Sequence, residues 1–237
     1  MTRRALGVIP ARGGSRRIPR KNLALLGGRP LIAWTIEAAL RSGVLDRVVV
    51  STDDTEIANV ARSLGADVPF LRDELADDMS GVDAVTVSVV RRLAETGDGY
   101  DEIVQLLPTS PLRGPEHVRG AVERFRETGS PAQASCFRFG WDNPWWAFEL
   151  DDSGTHRFAF PGATDARSQD LPPLYGLTGA VWVATAESWR ERNGFPIDDC
   201  TWYELPWRAA IDVDEPEDLD LADALLEVER RRLERSA

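Results

Sequence analysis

Several things are scarce in this 237-residue sequence, and each scarcity narrows what the chain can do. It has two cysteines, Cys136 and Cys200, too few for a disulfide framework or a four-ligand zinc site. Two histidines, His117 and His156, have no cysteine or serine neighbour that reads as a triad, which disfavours hydrolysis through a covalent nucleophile. No apolar run approaches the ~18 residues of a membrane span, and the arginines around residues 3–20 interrupt anything resembling a signal peptide. A soluble, cytoplasmic chain is expected. Lysine is the rarest base: Lys21 stands alone among 28 lysines and arginines. Where arginine serves everywhere else, a single lysine suggests a position that needs a compact point charge. Acidic residues are missing from the first 36 positions, which hold Arg3, Arg4, Arg12, Arg16, Arg17, Arg20, Lys21 and Arg29.

That local absence is set against a net charge of −11. An acidic chain is a poor general nucleic-acid binder, since such binding rests on neutralised phosphates. A basic segment at one end of an acidic chain suits a small anion. The length fits a single domain with a core large enough to need no staples.

Apolar runs alternate with amphipathic stretches through the first half. Strands are expected at residues 6–10, 47–51, 68–71, 103–107 and 132–139. Helices are expected from Pro30, at its N1 position, to Gly43; from a cap at Asp53 or Asp54 to Leu64; and over residues 82–93 and 115–128. This rhythm predicts an α/β fold, a Rossmann-like, mostly parallel sheet with helices on both faces. It breaks after Phe139. Trp141, Trp145 and Trp146 stand among Asn, Asp and Pro, either plugging a small subdomain or forming a dimer surface. Residues 179–183, 201–205 and 209–213 read as further strands, and 216–235 as a closing helix. The chain is therefore expected to be one domain, residues 1–237, with a lobe inserted at about 140–178.

Two constellations carry chemistry. The first, Ala11-Arg12-Gly13-Gly14-Ser15-Arg16-Arg17-Ile18-Pro19-Arg20-Lys21-Asn22, follows the first strand. Ligands bind beyond the carboxyl ends of strands in open α/β sheets, and paired glycines let backbone N–H groups approach phosphate oxygens. Arg12, Arg16 and Lys21 can offset triphosphate charge. Neither a Walker A loop nor a Gly-x-Gly-x-x-Gly fingerprint is present. The second is Ile211-Asp212-Val213-Asp214. On a strand, Asp212 and Asp214 would share a face and can hold one hard cation such as Mg²⁺; otherwise Asp214 merely caps the last helix. Asp77 and Asp78 read as caps or solvated residues, and Arg72 and Arg113 as strand-end residues able to reach the same rim. His117 is expected on a helix surface and His156 in a loop.

These residues resemble the acylneuraminate (CMP-sialic acid) cytidylyltransferase family. The resemblance rests on Ala11-Arg12-Gly13-Gly14-Ser15, Ile18-Pro19, Lys21-Asn22, Ser51-Thr52-Asp53, Pro108-Thr109-Ser110-Pro111-Leu112-Arg113 and Ile211-Asp212-Val213-Asp214, in family order along nearly the whole chain. It implies a CTP-dependent enzyme that transfers CMP to the anomeric hydroxyl of a 2-keto-3-deoxy sugar acid and releases pyrophosphate. It further implies Mg²⁺ dependence and a homodimer. The glycine loop would hold the triphosphate, Arg12, Asn22 and Arg72 the nucleotide, and Asp212 and Asp214 the metal, while the lobe would reach the partner subunit. Arg16, Leu107, Ser168 and Thr178 depart from the residues frequent at those places in the family. They leave acceptor identity open: another acid or phosphonate, or a non-catalytic CTP-binding relative. A metal-dependent glycosyltransferase would explain the carboxylates but not the basic loop. For the acceptor carboxylate, the sequence offers Arg167.

Overall fold

The computed structural model describes residues 3–73, 81–140 and 142–236. Asp77, Asp78 and Trp141 lie outside them.

A six-stranded sheet runs through the middle in the order β10-β6-β9-β5-β1-β4. Its strands are β1 (Ala5–Pro10), β4 (Arg47–Ser51), β5 (Glu102–Gln105), β6 (Ala132–Arg138), β9 (Tyr175–Thr185) and β10 (Thr201–Leu205). β1 pairs in parallel with β4 and β5, and β6 with β10. β9 runs antiparallel between β5 and β6 and joins the two parallel groups, so the sheet is mixed. The valine run of β4 and the fully buried β1 have the continuous apolarity of strands covered on both sides.

Helices α1 (Leu31–Ser42), α2 (Thr55–Ser63) and α4 (Pro115–Thr128) cover one face through Ile32, Ile36, Ile57, Val118 and Phe125. Helices α3 (Val82–Glu95) and α5 (Ala186–Arg192) cover the other through Val87, Val90, Leu93 and Trp189. A third, smaller cluster joins Ile18, Leu26, Leu31 and Val213 to Ala222 of α6 (Pro216–Ser236). It pins the loop after β1 to the segment that carries the paired aspartates. Two small hairpins complete the fold: β2 (Leu25–Leu26) with β3 (Arg29–Pro30), and β7 (Phe148–Leu150) with β8 (His156–Phe158).

Four expectations need correcting. Pro30 is the N-cap of α1, one position earlier than N1. Residues 68–71 are not a strand: Asp67 makes a single bridge to Val49, and Pro69, lacking an N–H, cannot extend the ladder. Residues 209–213 are not a strand either. A 3₁₀ turn (Trp207–Ala210) leads into an irregular segment whose Val213 N–H donates to the Thr109 carbonyl at 2.7 Å. His156 lies on β8, where its ring meets Phe148 and Phe158 edge-on, not in a loop.

β1 is followed in the chain by β4 on one side and later by β5 on the other. The loops leaving the carboxyl ends of β1 and β5 therefore diverge and open a crevice, the place where ligands bind in open α/β sheets.

Candidate active site

The loop after β1 forms one wall of that crevice, and its shape is set by its neighbours. The Ala11 N–H donates to the Ser51 carbonyl at 2.9 Å, and the Gly13 N–H to Asp53 Oδ1 at 2.9 Å. A Cβ on Gly13 would lie 2.8 Å from Asp54 Oδ2, so only glycine fits there; one on Gly14 would meet no atom within 4 Å. Arg20 takes a left-handed conformation (φ 53°) and turns the chain into a 3₁₀ turn over Lys21–Leu23. This sends Arg20 outward to Asp54 and Glu56, while Lys21 and Asn22 face the crevice. Asn22 is buried, and its Nδ2 donates to the Arg12 carbonyl at 2.9 Å, closing the loop on itself.

Arg12, Gly14, Ser15, Arg16, Arg17, Lys21, Asn22 and Arg72 line a cleft of about 380 Å³, with Thr109 and Leu107 opposite. Arg72 lies on the stretch after the Asp67 bridge. Its N–H donates to the Thr52 carbonyl at 2.8 Å, and its nearly buried guanidinium approaches Asp53 Oδ1 at 3.5 Å. Burial pushes that guanidinium down from the usual arginine range, Asp53 opposes the shift, and the charge of Arg12 adds to it. The guanidiniums of Arg12, Arg16, Arg17 and Arg72 thus line one cleft together with Lys21, and Asp53 offsets part of the charge at Arg72. Such a cleft favours an anionic ligand.

A second cleft of about 540 Å³ adjoins the first across Leu107. Apolar Phe137, Leu177, Trp182 and Trp207 wall it, with Arg138, Thr178 and Asp212 among its polar lining. Asp212 stands where the two clefts meet. Burial away from water raises its carboxyl above the usual range, the Thr109 hydroxyl opposes that, and the Asp214 charge reinforces it. Asp214 lies behind two residues of the first cleft, Lys21 and Arg17. Lys21 Nζ donates to its Oδ1 at 2.8 Å, and an Arg17 guanidinium nitrogen lies 2.9 Å from its Oδ2. Burial alone would raise the Asp214 carboxyl, but Lys21, with Arg17 behind it, outweighs burial and holds it below the usual range.

Of the residues expected at the site, Arg12, Gly14, Ser15, Arg16, Lys21, Asn22 and Arg72 line the first cleft and Asp212 the second; Ala11 and Gly13 belong to the same loop without lining either, and Asp214 reaches the first cleft only through its hydrogen bond from Lys21. Arg113 is elsewhere. It is buried beneath the loop after β5, where its Nη1 donates to the Ala180 carbonyl at 2.6 Å and anchors that loop to β9. His117 is half-buried at the start of α4, and its Nδ1 accepts from the Gly114 N–H at 2.9 Å; burial, chiefly, lowers its pKa. Arg167 pairs with Asp170 on the surface and does not line the second cleft. Trp145 packs against Phe160, and its Nε1 donates to the Pro172 carbonyl, as expected of a plug in a small subdomain. Thr109 and Arg138 escaped the sequence reading as site residues. Thr109 sits inside the Pro-Thr-Ser-Pro run, which signalled it; a lone arginine ending a strand gives no signal.

Among the described residues, no three His, Cys, Asp or Glu side chains converge to hold a metal unaided. Two carboxylates beside an anion cleft nonetheless match the habit of Mg²⁺, which takes one or two carboxylates and completes its shell with phosphates and water. No helix among the described residues is long and apolar enough to cross a membrane.

A family model described as cytidylyltransferase matches residues 6–142. The CMP-N,N'-diacetyllegionaminic acid synthase of Legionella pneumophila is 37% identical over 246 residues, covering 97% of this chain and 99% of that protein. The pseudaminic acid cytidylyltransferase of Campylobacter jejuni is 36% identical over 224 residues, covering 94% and 96%. Among solved structures, a CMP:2-keto-3-deoxy-manno-octonic acid synthetase complexed with CTP superposes with a TM-score of 0.72 at 20% identity, over 95% of this chain and 99% of that one. That likeness is one of fold.

Proposed function

The chain belongs to the cytidylyltransferase family, and from that premise we propose that it transfers CMP from CTP to the anomeric hydroxyl of a nonulosonic acid, releasing pyrophosphate. The observation that carries this reading is the pair of adjoining clefts, one basic and one mostly apolar, with Asp212 at their junction. A triphosphate in the first and a sugar acid in the second meet there.

The chemistry needs no covalent intermediate. The acceptor hydroxyl oxygen attacks the α-phosphorus in line, a new phosphorus–oxygen bond forms, the α–β bridge breaks, and the hydroxyl proton leaves to solvent. Arg12 and Arg16, with the backbone at Gly14 and Ser15, stabilise the charge that develops toward pyrophosphate. Arg72 and Asn22, both beside Arg12 in the cleft lining, hold the nucleotide. Asp212 and Asp214 would hold Mg²⁺, which when bound neutralises phosphate charge and lowers the pKa of a coordinated hydroxyl. Lys21, shared between the cleft and Asp214, links the two sets of residues.

In this reading the chain is one nucleotidyltransferase unit, with residues 140–178 as an acceptor lobe, working in the cytoplasm where CTP is made. It works as a homodimer. The edge strand β10 and its surroundings expose Trp202, Tyr175 and Leu177, and the β7–β8 hairpin exposes Phe148 and Leu150, apolar area of the kind an obligate interface covers.

Pyrophosphate release, assayed with CTP, Mg²⁺ and a panel of nonulosonic and octulosonic acids, tests the reading. Release with CTP and one acid supports it. CTP binding with no release from any acid points to another acceptor, such as a phosphonate, or to a non-catalytic relative. No CTP binding overturns it. Light scattering of the eluted protein tests the dimer.

A further inference from the structure

We propose that Arg138 anchors the acceptor's carboxylate. This anchor presupposes the proposed function and follows from what such an acceptor carries. A 2-keto acid in its ring form bears the carboxylate on the same carbon as the reacting hydroxyl. Whatever receives that carboxylate must therefore stand on the wall of the second cleft, close to where the hydroxyl meets the α-phosphate. A carboxylate brought near Asp142, Asp212 and Asp218, all lining this cleft, is repelled unless a cation offsets them.

Arg138 is the only cationic side chain lining this cleft among the described residues. It ends β6 with the strand's last register pair, opposite Tyr175. The buried part of β6 fixes where its Cα stands, while its side chain remains exposed. Its guanidinium makes no hydrogen bond or ion pair with any described residue. The surface arginines of the lobe are engaged otherwise: Arg157 pairs with Glu149, and Arg167 with Asp170. Most arginines of this chain have a carboxylate; this one, facing an acidic cleft, does not. A guanidinium matches a carboxylate with two parallel N–H donors, which fixes orientation as well as position. Around it Phe137, Leu177, Trp182 and Trp207 supply apolar surface for the acceptor's body and no competing charge.

The test uses the full-length enzyme, the acid from the panel that supports turnover, and its C1 methyl ester. Arg138→Gln is expected to raise KM for the acid about 10- to 100-fold, the range of a charge-assisted hydrogen bond, with KM for CTP unchanged. Arg138→Lys should recover part of the loss. The ester should be a poor acceptor for the native enzyme and no worse for Arg138→Gln, because neither then has the charge pair. An unchanged KM for the acid in Arg138→Gln overturns the assignment. So does an equal loss for acid and ester, which would mark a role in shape alone. Absence of release by the native enzyme with every acid is a separate result: it overturns the functional reading, and this assignment with it. Unchanged CTP affinity in each variant verifies that the fold is intact.

Discussion

Lys21 Nζ lies 2.8 Å from Asp214 Oδ1 and 3.0 Å from the Val213 carbonyl oxygen, so the one lysine of the chain is held by a carboxylate expected to take a cation. Without nucleotide, Lys21 occupies the charge that a metal would need. Under the proposed function, a triphosphate in the cleft would compete for Lys21 and leave Asp214 with Arg17 as its remaining cation. Lys21→Met should therefore bind Mn²⁺ more tightly than the native protein in the absence of CTP, as read by electron paramagnetic resonance. Its pyrophosphate release should fall on the order of 10²-fold, the scale of losing one charge-stabilising donor. Lys21→Arg should not restore the rate, since a planar guanidinium cannot replace a point charge among Val213, Asp214 and the ligand. Equal Mn²⁺ affinity in native protein and Lys21→Met would contradict this competition.

Asp212→Asn removes a carboxylate at the junction of the clefts while keeping its shape. Turnover is expected to drop on the order of 10²-fold or more. CTP affinity measured without divalent cation should hardly change, because Asp212 lies toward the acceptor side. A variant that keeps full Mg²⁺-dependent turnover would remove Asp212 from the metal site.

The two loop glycines separate fold from ligand. Gly13→Ala drives a Cβ to within 2.8 Å of Asp54 Oδ2 and 2.9 Å of Asp54 Cβ, and should cost about 1–3 kcal/mol in urea unfolding. Gly14→Ala meets no protein atom within 4 Å, so its stability should stay within roughly 0.5 kcal/mol of native. Any loss of CTP affinity in Gly14→Ala then reports contact with the nucleotide itself.

Asp54 caps α2: its Oδ1 accepts from the Glu56 N–H at 2.7 Å and the Ile57 N–H at 3.0 Å. The Ile57 N–H, then that of Glu56 and the charge of Arg20, hold the carboxyl below its usual range. Its contribution is therefore present above the unfolded pKa of about 3.9 and is lost as the pH falls through the lower folded value. Asp54→Ala should cost about 1–2 kcal/mol at pH 7, and Asp54→Asn less, since asparagine also caps. The gap between native protein and Asp54→Asn should close as urea unfolding is repeated from pH 6 downward.

Legibility followed locality. The strand Arg47–Ser51 and the helix Pro115–Thr128 were readable to the residue, because a valine run and a Pro-to-Gly span are complete local signals. The loop from Ala11 to Asn22 declared its chemistry through composition alone. Long-range placement was not readable. β9 is buried mainly over its second half, and nothing within that apolar stretch says that it runs against its neighbours. Asp212 and Asp214 do lie close enough for their charges to interact, but not because a strand puts them on one face. They flank Val213, which is buried beside Ile18 and Leu31, in an irregular segment rather than on a strand. Arg113 and Arg72 looked alike as strand-end arginines, and only packing separates an anchor beneath a loop from a cleft residue.

Arg138 and Tyr175 are register partners, so the chain departs from the sheet and comes back to it at neighbouring points. Residues 139–174 are thus an excursion whose two feet stand side by side on a rigid platform. Lengthening such an excursion carries only a slow entropic cost and leaves the platform's own pairing alone. The excursion can therefore change in length or sequence while the basic cleft, built on the loops after β1 and β5, keeps its framework.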